Sequence, residues 1–363
     1  MLNQALTLPD RGELANRRAL QEQALAMARL LHGEDHPVTL AALSSLAATL
    51  RLQGDVDGAQ SLLERTLTAR RRALGESHPD TIASTRDLGA LARARGDLAR
   101  ARTLHERALA ASRETRGAGH PETLAAMDEL AATLYAQGDF AAARTLQEEA
   151  LLARRRTLGE AHPDTLASTN NLAETLRAAG DGSGARAMLE IVLAHRRAAL
   201  GEDHPDTLAA MNNLAAALWT QDDLAGARPL LEVVLSARRR LLGPDHPDLL
   251  TSMNNLAATL YRQGDLDAAR RLQEDVLARR RRALGHEHPD TLAAQANLAA
   301  TLRDQGSPDR ARTLYAEVLA IRERTLGEDH PDTAAVRESL GSVGRRGSLL
   351  GRIARLFRGT SRR

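Results

Sequence analysis

Residues 243–284 read GPDHPDLLTSMNNLAATLYRQGDLDAARRLQEDVLARRRRAL, and this stretch contains two apolar stripes at helical spacing. The first stripe predicts a helix, here named helix A, and consists of Leu250, Met253, Leu256, Ala257 and Leu260. The second predicts helix B and consists of Leu266, Ala269, Leu272, Val276 and Leu277. Between them, Gly264 can take the left-handed conformation that ends a helix, and Asp265 can cap the next one. The stretch therefore predicts a helical hairpin.

The hairpin recurs along the chain with a period of 42 residues. A His-Pro dipeptide marks each unit, with its histidine at His36, His78, His120, His162, His204, His246, His288 and His330. Proline suits the first turn of helix A, because no N–H partner is lost there, and the histidine before it is expected to cap that helix. One hairpin cannot bury both of its apolar faces, so neighbours must stack. The sequence therefore predicts an all-α protein, a right-handed α-solenoid (superhelix) of antiparallel helix hairpins.

The period divides the chain into four parts. Residues 1–32 are expected to form an N-terminal partial repeat that ends in a capping helix, and residues 33–326 seven 42-residue repeats. Residues 327–340 are expected to form helix A of an eighth repeat. Residues 341–363 are an Arg-rich amphipathic tail, which contains seven Arg and no acidic residue. The basic excess of the chain is therefore local to its end.

The repeat pattern GxxHPDTLxxxNNLAxxLxxQGDLxxAxxLxExxLxxRRxxL resembles the 42-residue tetratricopeptide repeat of kinesin light chains and their bacterial relatives. The resemblance covers residues 33–326. It implies a protein-protein interaction scaffold or adaptor, in which helix A lines the concave face of the superhelix and binds extended peptide segments of partner proteins there. A long heptad coiled coil, which joins a kinesin light chain to its motor, is missing from the pattern, so we do not expect a motor subunit.

Helix A carries a polar stripe beside its apolar one, and this polar stripe is the candidate binding groove. Its last position holds Arg and aromatic residues, which are common in interface hot spots, and its first position holds Asn, whose carboxamide can donate to and accept from a peptide backbone. The predicted groove residues are Asn170, Asn212, Asn254, Tyr135, Arg177, Trp219, Tyr261 and Arg303. As an alternative, Asn side chains bond between adjacent hairpins, above all those of a secondary series, Asn171, Asn213, Asn255 and Asn297.

The residue composition excludes several kinds of chemistry. The chain has no Cys, which excludes disulfides, thiolate metal sites and cysteine nucleophiles, and no Lys, which excludes Schiff-base chemistry. The histidines recur once per repeat, too far apart to share a metal ion whose bonds to nitrogen are about 2.0–2.1 Å long. No catalytic triad, carboxylate pair or phosphate loop interrupts the repeats. We therefore expect no enzyme activity, catalytic residue, metal, cofactor or small-molecule substrate, and a protein or peptide as the partner.

The tail places apolar and basic residues on opposite helical faces. The apolar face consists of Leu349, Leu350, Ile353, Leu356 and Phe357, and the basic face of Arg352, Arg355 and Arg358. The tail is interpreted as a cap on the last hairpin, as a weak contact with an anionic membrane, or as a second partner site; nucleic acid is disfavoured because the repeats are net acidic. An alternative function is therefore a regulatory subunit that the tail anchors to an anionic membrane or nucleic acid. The N-terminus lacks a signal-sequence pattern, so we expect a cytoplasmic protein.

Overall fold

The computed structural model describes residues 11–343, and this range folds into sixteen α-helices without a strand. The helices are α1 (Arg11–His32), α2 (Pro37–Leu52), α3 (Val56–Leu74), α4 (Pro79–Ala94), α5 (Leu98–Arg116), α6 (Pro121–Gln137), α7 (Phe140–Leu158), α8 (Pro163–Ala178), α9 (Gly182–Leu200), α10 (Pro205–Thr220), α11 (Leu224–Leu241), α12 (Pro247–Arg262), α13 (Leu266–Leu284), α14 (Pro289–Asp304), α15 (Pro308–Leu326) and α16 (Pro331–Gly341). Even-numbered helices correspond to helix A and odd-numbered ones to helix B. The predicted all-α repeat solenoid is confirmed, and its right-handed sense stays a prediction.

The chain divides into two compact units. The N-terminal unit is Met1–Val192 and the C-terminal unit is Leu193–Arg363, so the division falls within α9. Consecutive helices pack against each other within each unit.

Each helix A begins at the proline of a His-Pro dipeptide, from Pro37 of α2 to Pro331 of α16. In all eight cases, Nδ1 of the histidine accepts a hydrogen bond from the backbone N–H two residues later, at 3.1–3.3 Å. This bond satisfies an N–H group that the first helical turn leaves without an intrahelical acceptor. The prediction that these histidines cap helices is confirmed.

Local sequence also sets the turn from helix A to helix B. Gly264 has a φ of 83°, and Oδ1 of Asp265 accepts a hydrogen bond from the N–H of Ala268 at 3.2 Å. The fifth repeat is an exception, because Asp222 stands where the others have glycine and still adopts a φ of 64°. The left-handed conformation costs a residue with a side chain about 1–2 kcal/mol. The packing of the two flanking helices therefore imposes this turn even without glycine.

An arginine near the end of helix B ties its hairpin to the next helix A. Nη1 of Arg238 in α11 donates to the backbone oxygen of Asp248 at 2.9 Å and to Oγ of Ser252 at 2.8 Å. Burial beside these acceptors lowers the pKa of Arg238. The same bond to the carbonyl ten residues later is made by Arg70, Arg196, Arg280 and Arg322. These bonds fix the position of helix A on the preceding hairpin.

The apolar core runs between consecutive helices, at the positions that the two apolar stripes predicted. In the N-terminal unit, the cluster from α1 to α5 includes Leu43 and Leu91, which are at most 1% exposed. In the C-terminal unit, Met211, Met253 and Val276 are buried to the same degree. Truncation of such a side chain to Ala typically costs about 2–5 kcal/mol.

One face of α1 has no partner helix among the described residues. Leu20 and Met27 are 66% and 57% exposed, whereas their equivalents in α3, Leu62 and Ala69, are half-buried and buried. The opposite face packs on α2, where Leu25 joins the core. Helix α1 lies within residues 1–32, for which the sequence predicts a partial repeat.

Apart from residues 341–343, the predicted amphipathic tail lies outside the described residues. This holds for its apolar residues Leu349, Leu350, Ile353, Leu356 and Phe357 and for Arg352, Arg355 and Arg358. Its three interpretations therefore stay predictions. Within residues 11–343, no helix is both long and apolar enough to cross a membrane.

Candidate functional site

The polar stripe of helix A is half-buried in the C-terminal unit, at the edge where one helix A meets the next. Asn212 and Trp219 lie on α10, Asn254 and Tyr261 on α12, and Arg303 on α14. These five side chains belong neither to the apolar core nor to the fully exposed surface. Each of them therefore has a part exposed to a binding partner and a part held by the neighbouring repeat.

The two Asn series bond to each other across adjacent repeats. Nδ2 of Asn255 donates to Oδ1 of Asn212 at 2.9 Å, and Nδ2 of Asn297 donates to Oδ1 of Asn254 at 3.2 Å. Asn255 and Asn297 thus make the bonds between hairpins that the sequence offered as an alternative. The same bonds fix the side chains of Asn212 and Asn254 in similar orientations on α10 and α12.

The remaining Asn residues lie in different settings. Asn170, in the N-terminal unit, is half-buried, and so is Asn213, in the C-terminal unit; each has an interaction partner. Asn171 is exposed on α8. The secondary series is therefore not uniform, because Asn171 lies on the surface while Asn255 and Asn297 join hairpins.

Trp219 is held by an arginine of the following helix A. Cζ of Arg262 lies 4.2 Å from the centroid of the Trp219 ring, and Nη1 of Arg262 donates to the backbone oxygen of Trp219 at 3.1 Å. Asp222 pairs with the other end of the same guanidinium. A guanidinium over an indole face is a favourable cation–π contact. The indole is therefore oriented before any partner arrives.

Tyr261 and Arg303 share one carboxylate. Oη of Tyr261 donates to Asp304, and Nε of Arg303 donates to the same carboxylate at 2.9 Å. Arg303 also donates through Nη1 to Oγ of Ser342 at 3.2 Å. Burial, followed by the bond to Asp304, raises the pKa of Tyr261, so the phenol stays a hydrogen-bond donor. The phenol of Tyr261 and much of the guanidinium of Arg303 thus have hydrogen-bond partners within the protein.

In the N-terminal unit, side chains of the same stripe bond to carboxylates. Nε and Nη2 of Arg86 donate to the two carboxylate oxygens of Glu129, at 2.8 and 2.7 Å. Glu174 accepts hydrogen bonds from Oη of Tyr135 and from Nε of Arg177, both at 3.0 Å. Burial, followed by the charge of Glu174, raises the pKa of Tyr135. The predicted groove residues Tyr135 and Arg177 are thus brought together on one acid.

One spacing recurs among the contacts of both units. The partners are 43 residues apart in the pairs Arg86–Glu129, Asn212–Asn255, Asn254–Asn297, Trp219–Arg262 and Tyr261–Asp304. Each of these stripe residues therefore contacts a residue in the next repeat. That residue stands one position after the equivalent of the stripe residue itself. Sequence reasoning missed Glu129, Arg262 and Asp304 for this reason. Their signal was complementary side chains at a spacing of one repeat plus one residue.

Small side chains separate the two ends of the stripe. The middle position is the exposed Ala216 on α10, and the half-buried Ala258 and Ala300 on α12 and α14. The surface thus offers amide groups, an aromatic face and room between them, which suits non-covalent contact with a peptide backbone and its side chains. Within residues 11–343, no group of three or more His, Asp and Glu residues is placed to hold a metal ion.

Family models described as tetratricopeptide repeat match most of the chain. One matches residues 1–72, 39–114, 82–156, 122–194, 248–323 and 290–348, and a second matches residues 207–248. A search of the curated proteins finds no match. The matches cover both units and include every helix that carries a predicted groove residue.

Solved structures of repeat proteins resemble this chain. A protein from Podosopora anserina, described as a kinesin light chain with nearly identical TPR-like repeats, is 33% identical, with 57% of this chain and 98% of that chain covered and a TM-score of 0.52. A tetratricopeptide repeat protein from Parabacteroides merdae is 14% identical over 83% of this chain and 97% of its own, with a TM-score of 0.57. The second likeness shows the fold alone. The resemblance to repeats of the kinesin-light-chain type, which the sequence indicated, is confirmed.

Proposed function

Because this chain belongs to the tetratricopeptide repeat family, we propose that it is a non-catalytic scaffold that holds an extended peptide segment of a partner protein. The proposed contact surface in the C-terminal unit is the polar stripe of α10, α12 and α14. Asn212 and Asn254 bind the peptide backbone there, and Trp219, Tyr261 and Arg303 contact its side chains. Tyr135, Asn170 and Arg177 are the corresponding proposed contacts in the N-terminal unit.

The observation that carries this proposal is the fixed orientation of Asn212 and Asn254. Each has Oδ1 bound by an Asn of the following repeat, so its Nδ2 group is left to donate to a peptide carbonyl. An amide that is already oriented loses less conformational entropy when a ligand binds. Equivalent amides on successive helices therefore suit an extended chain, whose carbonyl groups recur regularly.

Removal of the aromatic residues is a poor test of the site, because they also join repeats. Trp219 contacts Arg262, and Tyr261 bonds to Asp304, so truncation of either to Ala would lower the stability as well as the binding. A better variant adds bulk where the stripe is open. Ala216→Arg places a long cation beside the proposed peptide path at an exposed position of a helix.

The matched control is Ala278→Arg, which makes the same change at an exposed position of α13, a helix B. Peptides of about a dozen residues are first selected from a random display library on the immobilised full-length protein. Their affinities for the two variants are then measured through the fluorescence of Trp219, the only tryptophan in the chain. We expect Ala216→Arg to weaken binding tenfold or more, which corresponds to about 1.4 kcal/mol, and Ala278→Arg to leave it unchanged.

Equal affinity of the selected peptides for both variants and the wild type would exclude the α10 stripe as their site. An equal loss for both variants would mean that the effect is unspecific. Circular dichroism of both variants, recorded alongside, shows that neither has lost helix content.

A further inference from the structure

A buried histidine distinguishes one contact between helices of the N-terminal unit, here called a joint, from the equivalent contacts in the other repeats. His105 lies in α5 and is 1% exposed. The residues at the equivalent position of the other helices B carry no basic group: Gln21, Leu63, Gln147, Leu189, Leu231, Gln273 and Tyr315. His105 is therefore a titratable base where the repeat otherwise places apolar or neutral polar side chains.

The helix that faces His105 leaves room for its ring. Gly89 of α4 occupies a position that is Ala in the other six full repeats, namely Ala47, Ala131, Ala173, Ala215, Ala257 and Ala299. A Cβ atom on Gly89 would lie 2.4 Å from Nε2 and 2.5 Å from Cδ2 of His105. The two departures from the repeat are thus complementary, and the imidazole fills the space that the missing methyl group leaves.

The two ring nitrogens of His105 lie against different helices. Nδ1 is 2.8 Å from Oγ1 of Thr133 in α6, a hydroxyl that also lies 3.0 Å from the backbone oxygen of Glu129. Nε2 lies on the side of Gly89 in α4, where the packing is close. A charged ring would therefore place its second proton within these closely packed helices.

The charged groups that face the ring come from both neighbouring helices. Arg86 and Arg93 of α4 disfavour a charged imidazole, whereas Glu129 of α6 and a hydrogen bond to the Arg86 backbone favour it. Burial is the largest effect, and it lowers the pKa of His105 below the ordinary value of 6.5. The bidentate pair between Arg86 and Glu129 lies across the same two helices.

We propose that His105 makes the joint between α4 and α6 a proton-sensitive contact, which packs at neutral pH and opens in acid. Protonation places a cation in the space beside Gly89, next to Arg86 and Arg93. The ring then separates α4 from α6, two helices that are otherwise in direct contact, and the Arg86–Glu129 pair across them is lost. This inference does not depend on whether the protein binds peptides.

The direction of the effect follows from proton linkage. In the unfolded chain His105 takes up its proton near pH 6.5, and in the folded chain it does so only at a lower pH. Between these two values the unfolded state binds more protons. The contribution of neutral His105 to the stability of the folded state is therefore complete above about pH 6.5. It is lost as the pH falls through the folded-state pKa of His105.

The test restores the repeat consensus with the double variant His105→Leu/Gly89→Ala in the full chain. His286→Ala, which removes an exposed histidine from a loop, is the matched control. Thermal midpoints are measured by circular dichroism at pH 7.5 and pH 5.0. All other histidines are shared by the wild type and the double variant, so their effects cancel. We expect the double variant to lose at least about 2 °C less than the wild type on acidification, and the control to lose as much as the wild type.

Nuclear magnetic resonance of the imidazole C–H groups provides an independent readout. The resonance that disappears in His105→Leu should titrate below pH 6.5 in the wild type. A midpoint at or above 6.5 would overturn the proposal. So would the same loss of thermal midpoint in the wild type and the double variant.

Discussion

The two units use different side chains at the same joint between consecutive helices A. In the N-terminal unit the joint is the ion pair between Arg86 and Glu129, and in the C-terminal unit the equivalent joint is the amide pair between Asn212 and Asn255. The spacing of 43 residues is common to both. The backbone repeat thus fixes where two side chains meet, and the sequence is free to vary what they are.

This difference has consequences for stability. An ion pair that loses one member leaves the other charge partly buried and unpaired, whereas an amide that loses its partner leaves a neutral group. The N-terminal unit also contains the neutral base His105, while the C-terminal unit contains the buried phenol of Tyr315. The units should therefore differ in their response to mutation and to pH.

The largest effect is expected from Gly89→Ala in the N-terminal unit. The added methyl group would overlap the ring of His105, so we expect the free energy of unfolding to fall by about 3 kcal/mol, as overpacking of a core does. Urea denaturation measures this change. In the His105→Leu background the same substitution should be stabilising by about 0.5–1 kcal/mol, because Ala is the better helix former. Equal effects in the two backgrounds would show that Gly89 does not serve His105.

The next effect compares the two joints directly. Glu129→Ala should lower the free energy of unfolding by about 2 kcal/mol, because it leaves Arg86 half-buried without its counter-charge. Asn255→Ala should cost about 1 kcal/mol, the usual contribution of a neutral hydrogen bond. Urea denaturation of both variants measures the two losses in free energy of unfolding. A larger loss for Asn255→Ala than for Glu129→Ala would contradict this prediction. The double variant Arg86→Asn/Glu129→Asn should recover much of the loss, because it places the amide pair of the C-terminal unit at the same spacing.

The C-terminal unit should be sensitive to alkali. Burial raises the pKa of Tyr315 to about 12, compared with an ordinary value of 10. The contribution of Tyr315 to the free energy of unfolding is therefore complete below pH 10 and is lost as the pH rises. At pH 11 the loss from this group alone is about 1.4 kcal/mol. Tyr315→Phe should remove this part of the loss, as measured by urea denaturation at pH 9 and pH 11. If the variant weakens in alkali as much as the wild type, the phenol is not responsible.

The smallest effect on stability is expected from Asp222→Gly. Glycine relieves the left-handed backbone, but the ion pair with Arg262 is lost, so the net change should stay within about 1 kcal/mol. The emission of Trp219 should change nonetheless, because Arg262 is no longer held over its ring. Asp222→Asn, which keeps a side chain but removes the charge, should change the emission in the same way. An unaltered spectrum in both variants would mean that Asp222 does not position Arg262.

Much of the fold could be predicted from the sequence because its determinants are local. The capping role of His246, the left-handed turn at Gly264 and the buried Met253 each depend on residues within one or two helical turns. The candidate site could be predicted only in part. The polar stripe was found from its spacing, but the carboxylate of Asp304 and the guanidinium of Arg262 belong to the next repeat, and no pattern within one hairpin connects them to the stripe.

The sequence by itself determined the period of 42, the two helices of each repeat and the side of each helix that is buried, because these follow from apolar spacing and from caps at fixed positions. Only the tertiary structure decided that contacts between repeats join residues 43 apart. That offset depends on how one helix A is rotated against the next, and the rotation is set by the packing of whole side chains. The same packing made Gly89 and His105 neighbours, although they lie on different helices and neither follows the repeat.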